Sequence, residues 1–108
     1  MAAINTLEKI RRLEKYVAIQ ESTDTVFDLA LDKLLDREVT RLQEMQEKLH
    51  GELVEFEKRY GLDSHTFYRQ YEEGRLGDAI DLVEWSATVE MMNNIRQHLN
   101  LLQNAAHQ

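Results

Sequence analysis

A chain of 108 residues with 43% hydrophobic content has room for one small domain and enough apolar material to fold, which sets wholesale disorder aside. It contains no proline and no cysteine, so no ring breaks a long helix, and disulfides and thiolate metal sites are excluded. The net charge is −7, from 13 Lys/Arg and 20 Asp/Glu, a balance that suits a basic protein partner better than a phosphate backbone.

The first element is expected over residues 3–20. Ala3, Leu7, Ile10, Leu13 and Val17 recur at steps of three and four and give it one apolar face. Lys9, Arg11, Arg12 and Lys15 form the only cluster of cations, mixed with Glu8 and Glu14, which is too thin a basic patch for direct nucleic-acid binding. The same early charges fit no signal peptide, and no apolar stretch reaches the ~20 residues that span a bilayer. The expected location is therefore the cytoplasm, with no membrane contact.

Ser22 or Thr23 is placed to cap a second helix, with Asp24 at its positive end. That helix is expected over 24–60, about 55 Å at the α-helical rise. Leu35, Leu42, Leu49 and Phe56 are spaced by seven, and Leu31 and Met45 fall between them, while Glu38 and Glu52 break the second row. This is a bundle stripe rather than a strict two-stranded seam. Gly51 lies inside the helix, where it permits a bend or the close approach of another helix.

Gly61 is expected to end the long helix. Asp63 or Ser64 then caps a short helix over 65–73, whose bulky residues Phe67, Tyr68 and Tyr71 join Tyr60 in a hydrophobic plug. Gly74 stops it, and Gly77 or Asp78 opens a last helix over 79–103, with Asp81 in a capping-box-like position. In this helix Ile80, Val83, Ala87, Met91, Ile95 and Leu102 form one face, with Trp85, Met92 and Leu99 beside it. The tail from Asn104 onward is expected to fray.

The expected architecture is all-α: a single helical domain over 1–108, built as a long antiparallel hairpin with a connector helix and an N-terminal helix. Such a hairpin has little interior of its own, so a homodimeric bundle is expected. Leu35, Leu42, Met45, Leu49, Phe56, Met91, Ile95 and Leu102 are the candidate interface residues.

Asp78, Asp81 and Glu84 succeed one another at steps of three. They read as a docking patch for a basic partner, as Mg²⁺ ligands, or as helix capping. Trp85, the single tryptophan, serves either as an interface anchor or as a core residue, and with the three acids it completes the candidate partner-binding set. Adding Glu52 and Glu55 gives an enzyme alternative. The stretch Leu76-Gly77-Asp78-Ala79-Ile80-Asp81 resembles the second acidic motif of all-α, Mg²⁺-dependent nucleotide pyrophosphohydrolases, although their Glu-rich first pair and phosphate-holding lysine are missing. His50, His65, His98 and His107 have no metal-ligand spacing, and Ser22, Ser64 and Ser86 have no nucleophile elbow. No catalytic residue and no cofactor is assigned.

The block Phe56-Glu57-Lys58-Arg59-Tyr60-Gly61-Leu62, followed by Phe67-Tyr68, Gly74-Arg75-Leu76-Gly77-Asp78 and Asp81-Leu82-Val83-Glu84-Trp85, resembles a pattern in small prokaryotic proteins of cyanobacterial and archaeal type. Asp24-Thr25-Val26 and Asp32-Lys33-Leu34-Leu35 fit the same pattern, so the resemblance spans about residues 22–92. Those proteins are similar to antitoxin-like components encoded beside a small toxin-like partner. The resemblance implies a helical binding protein that covers a basic, toxin-like partner's active surface, and it brings no catalytic residues. The strongly basic DNA-binding arms of autoregulating antitoxins are absent. A purely structural homo-oligomer is the remaining alternative.

Overall fold

A computed structural model describes residues 2–21 and 24–104 as four helices: α1 (Ala2–Ala18), α2 (Thr25–Tyr60), α3 (Ser64–Glu72) and α4 (Ile80–Asn104). Among the described residues there is no strand, and the fold is all-α. The helix bounds fall within two residues of the expected ones. Ser22 and Thr23, expected as caps, and residues 105–108 of the expected frayed tail lie outside the described residues. Asp24 accepts the backbone N–H of Val26 at 2.9 Å and so acts as the cap of α2.

The chain divides into two compact units, Met1–Leu34 and Leu35–Gln108. In the second unit the C-terminal part of α2 packs against α4. Phe56 and Tyr60 near the end of α2 both stack on Trp85 near the start of α4. Gln43 and Gln46 share a hollow with Arg96, Asn100 and Gln103 near the other end of α4. The two helices are therefore antiparallel.

Each helix contributes a heptad-spaced row to this seam. On α2 the row is Leu42, Gln46, Leu49, Leu53, Phe56 and Tyr60. On α4 it is Asp81, Trp85, Thr88, Met92, Ile95, Leu99 and Leu102. The buried core consists of Leu42, Leu49, Leu53, Phe67, Trp85, Met92, Ile95 and Leu99. The inward face of α4 is thus the row through Trp85, Met92 and Leu99 rather than the Ile80, Val83 and Met91 side, and those three residues are exposed. Thr88 fits within the buried row because its hydroxyl donates to the Glu84 carbonyl at 2.9 Å, which removes the cost of burying it unpaired.

The connector is locked at both ends. Asp63 is the N-cap of α3, accepting the Thr66 backbone N–H at 2.7 Å and the Thr66 hydroxyl at 3.0 Å. Glu57, reaching over from α2, accepts the Ser64 N–H at 2.8 Å. At the other end Gly74 adopts φ 77°, its N–H donates to the Tyr71 carbonyl, and the Arg75 N–H donates to the Gln70 carbonyl. That pair of bonds is a Schellman stop, which an L side chain at position 74 would strain. α2 runs through Gly51 as expected, and a Cβ placed there would meet nothing within 4 Å. Among the described residues no other helix approaches it closely.

Candidate interaction surface

Trp85 is 1% exposed. Its indole ring lies parallel to the Phe67 ring, with centroids 3.8 Å apart and planes 2° from parallel. Phe56 and Tyr60 of α2 also stack on it, each at 5.6 Å, and its indole N–H donates to the Ser64 hydroxyl at 3.0 Å. Trp85 therefore leaves the candidate docking set. It is the centre of the aromatic core, and its one polar atom is already satisfied inside the fold.

Asp81 is also engaged within the chain. One of its carboxylate oxygens accepts from the Arg59 guanidinium at 3.0 Å and from the Tyr60 hydroxyl at 2.9 Å. It braces the end of α2 to the start of α4 instead of closing a capping box. The backbone N–H groups of Leu82 and Val83 bond to the Ala79 carbonyl. The Tyr60 phenol is pushed above its ordinary range, chiefly by its hydrogen bond to Asp81. Arg59 additionally lies over the Phe56 ring, 5.8 Å from its centroid. Asp78 and Glu84 remain exposed, so the acidic docking patch reduces to these two carboxylates beside a neutralised third.

The candidate interface residues divide in the same way. Leu42, Leu49 and Ile95 are buried by the chain's own hairpin, and Phe56 and Leu102 are half-buried against it. Leu35, Met45 and Met91 are exposed. The first three belong to the intrachain core that α2, α3 and α4 form together.

A hollow of about 490 Å³ is lined by Gln43, Gln46, Arg96, Gln97, Leu99, Asn100 and Gln103. Amides and one guanidinium offer hydrogen bonds, but this lining holds no nucleophile paired with a base. A hollow of about 240 Å³ has Leu53 and Met92 beside Ser64, His65, Tyr68 and Arg96. The Tyr68 hydroxyl there donates to Glu90 at 3.0 Å, and its phenol is held well above the ordinary range by hydrogen bonds to Glu72 and Glu90. It is poorly suited to give up a proton at neutral pH. Among the described residues, no group of three or more His, Cys, Asp or Glu is placed to hold a metal ion, and Glu52, Glu55, Asp78, Asp81 and Glu84 form no such set. No helix of the described residues is long and apolar enough to cross a membrane.

No protein-family model, curated protein or solved structure matches this chain.

The surface feature that stands out is apolar. Between residues 4 and 34 no described side chain is buried, and only Val17, Gln20 and Phe27 are half-buried. Ile4, Leu7, Ile10 and Leu13 on α1, and Val26, Leu29, Leu31 and Leu34 on α2, are all exposed. The periodicity of α1 was legible in the sequence. That its apolar residues stand exposed was not, because periodicity says which residues share a face but not what lies against it.

Proposed function

We propose that this chain is a non-enzymatic, antitoxin-like interaction module of the cytoplasm, a homodimer that binds a basic protein partner through its acidic hairpin. The observation that carries the reading is one row of α2. Leu35, Leu42, Leu49 and Phe56 are spaced by seven; Leu42 and Leu49 are 6% and 7% exposed, whereas Leu35 is 46% exposed. The row is covered where the hairpin covers it, and the described apolar side chains of residues 4–34 that precede it are exposed or at most half-buried. Each Å² of such surface removed from water is worth about 25 cal/mol, and contiguous faces of this kind mark sites of association. The net charge of −7 and the exposed Asp78 and Glu84 favour a basic partner, by steering and by complementarity more than by raw affinity.

The test is co-expression with the product of the neighbouring gene, followed by capture of the tagged chain. Co-purification of that product, weakened by Asp78→Lys with Glu84→Lys and by added salt, supports the reading. Absence of a captured partner, together with no relief of toxicity on co-expression, overturns it. Turnover of nucleoside triphosphates to pyrophosphate by the purified chain with Mg²⁺, lost in Asp81→Ala, would assign it to the enzyme alternative instead.

A further inference from the structure

We propose that the apolar faces of residues 4–34 are covered by the same faces of a second copy, α1 of each chain lying against the first turns of α2 of the other. The inference rests on the interaction reading above and names the surface that makes the dimer.

The charge pattern at the edges of these faces points to a second copy. On α1 the apolar row Ile4, Leu7, Ile10 and Leu13 is bordered by Arg11 and Lys15, one turn apart, with Glu8 on the same edge and Glu14 between Leu7 and Ile10 around the helix. The helix as a whole carries four cations, Lys9, Arg11, Arg12 and Lys15, against Glu8 and Glu14. On the first turns of α2 the row Phe27, Leu31 and Leu34 is bordered on one side by Asp28 and Asp32, also one turn apart, and on the other by Lys33 and Arg37. Among the described residues, none of Arg11, Lys15, Asp28 and Asp32 makes an ion pair within the chain. One segment therefore presents an apolar face with a basic edge and an apolar face with an acidic edge. A surface that carries both halves of a match is self-complementary. A two-fold interface requires this, because each contact of i with j is repeated as j with i.

Two double variants of the full chain test this. Arg11→Glu with Lys15→Glu makes both edges acidic, and Asp28→Lys with Asp32→Lys makes both edges basic. The expected result by light scattering is a dimeric wild type, with each variant alone dissociating at concentrations roughly tenfold higher or more, since like charges then face each other across the interface. An equimolar mixture of the two variants is expected to recover a dimer that native mass spectrometry identifies as one copy of each. Emission from Trp85, buried in the aromatic core of the other unit, reports that the hairpin stays folded in both variants.

A monomeric wild type overturns the proposal, as does a variant that dimerises as well as wild type. A mixture that fails to form the heterodimer also overturns it, because the charges would then act within one copy or not at all. A dimer that captures no neighbouring product leaves this inference standing and removes the partner reading. A monomer that captures the product does the reverse.

Discussion

The indole N–H of Trp85 on α4 donates to the Ser64 hydroxyl at the start of α3, across 3.0 Å. This bond fixes the rotation of the ring that Phe56, Tyr60 and Phe67 stack on, so three helices are keyed to one side chain. Ser64→Ala leaves a buried donor without its partner, which costs about 1–3 kcal/mol. The expected outcome is a lower urea midpoint with an unchanged slope. Trp85→Phe removes the donor together with part of the ring area, and adding Ser64→Ala to it is expected to cost less than Ser64→Ala alone. Additive losses would show that the bond contributes nothing.

Leu49 is buried among the hairpin's own residues. Leu49→Ala is expected to destabilise the chain by about 2–5 kcal/mol through the cavity it leaves. Leu49→Glu is expected to unfold the hairpin, visible as red-shifted Trp85 emission and lost helical circular dichroism. Leu35→Glu, on the same row but exposed, is expected to leave the Trp85 emission in place.

Gly51 lies in the interior of α2 with open space where a Cβ would sit. Gly51→Ala is expected to raise stability by up to about 1 kcal/mol, from helix propensity and reduced freedom of the unfolded chain. A loss on the same substitution, read from denaturant midpoints, would mean that another surface approaches this position in the assembled protein.

Asp63 has its carboxyl held below the ordinary value of 3.8, first by the backbone N–H of Thr66 and then by the Thr66 hydroxyl. Because the folded-state value is depressed, this contribution is fully present above the unfolded value and is lost as pH falls through the folded one. Asp63→Asn keeps a side-chain acceptor for the cap but does not titrate. Its urea midpoint is expected to fall less steeply than that of wild type as the pH is lowered below 3.8. Parallel curves for the two proteins would contradict this.

How much of this was legible in the sequence differs from element to element. The ends of α3 were, because Asp63 and Gly74 are residue types with one strong backbone use each. The row of α2 was partly legible: Leu42, Leu49 and Phe56 stand out, but Gln46, half-buried on the same seam, hides the heptad. The row of α4 was misplaced by one strip because Thr88 and Asp81 interrupt it as polar residues. Only the structure shows Thr88 satisfied by the Glu84 carbonyl and Asp81 by Arg59 and Tyr60. The burial of Trp85 could not be read from its neighbours in sequence, since an interface anchor and a core anchor have the same residue type and spacing. What stacks on it, Phe56 and Tyr60 of α2 and Phe67 of α3, lies 18 or more residues away in the chain.

Whether a second copy covers the apolar faces of residues 4–34 is tested most directly by the mass of the intact chain in solution. Light scattering on the wild-type protein over a dilution series is expected to give twice the 12.7 kDa chain mass, moving towards one chain mass only on dilution. A mass of one chain at every concentration would contradict the account.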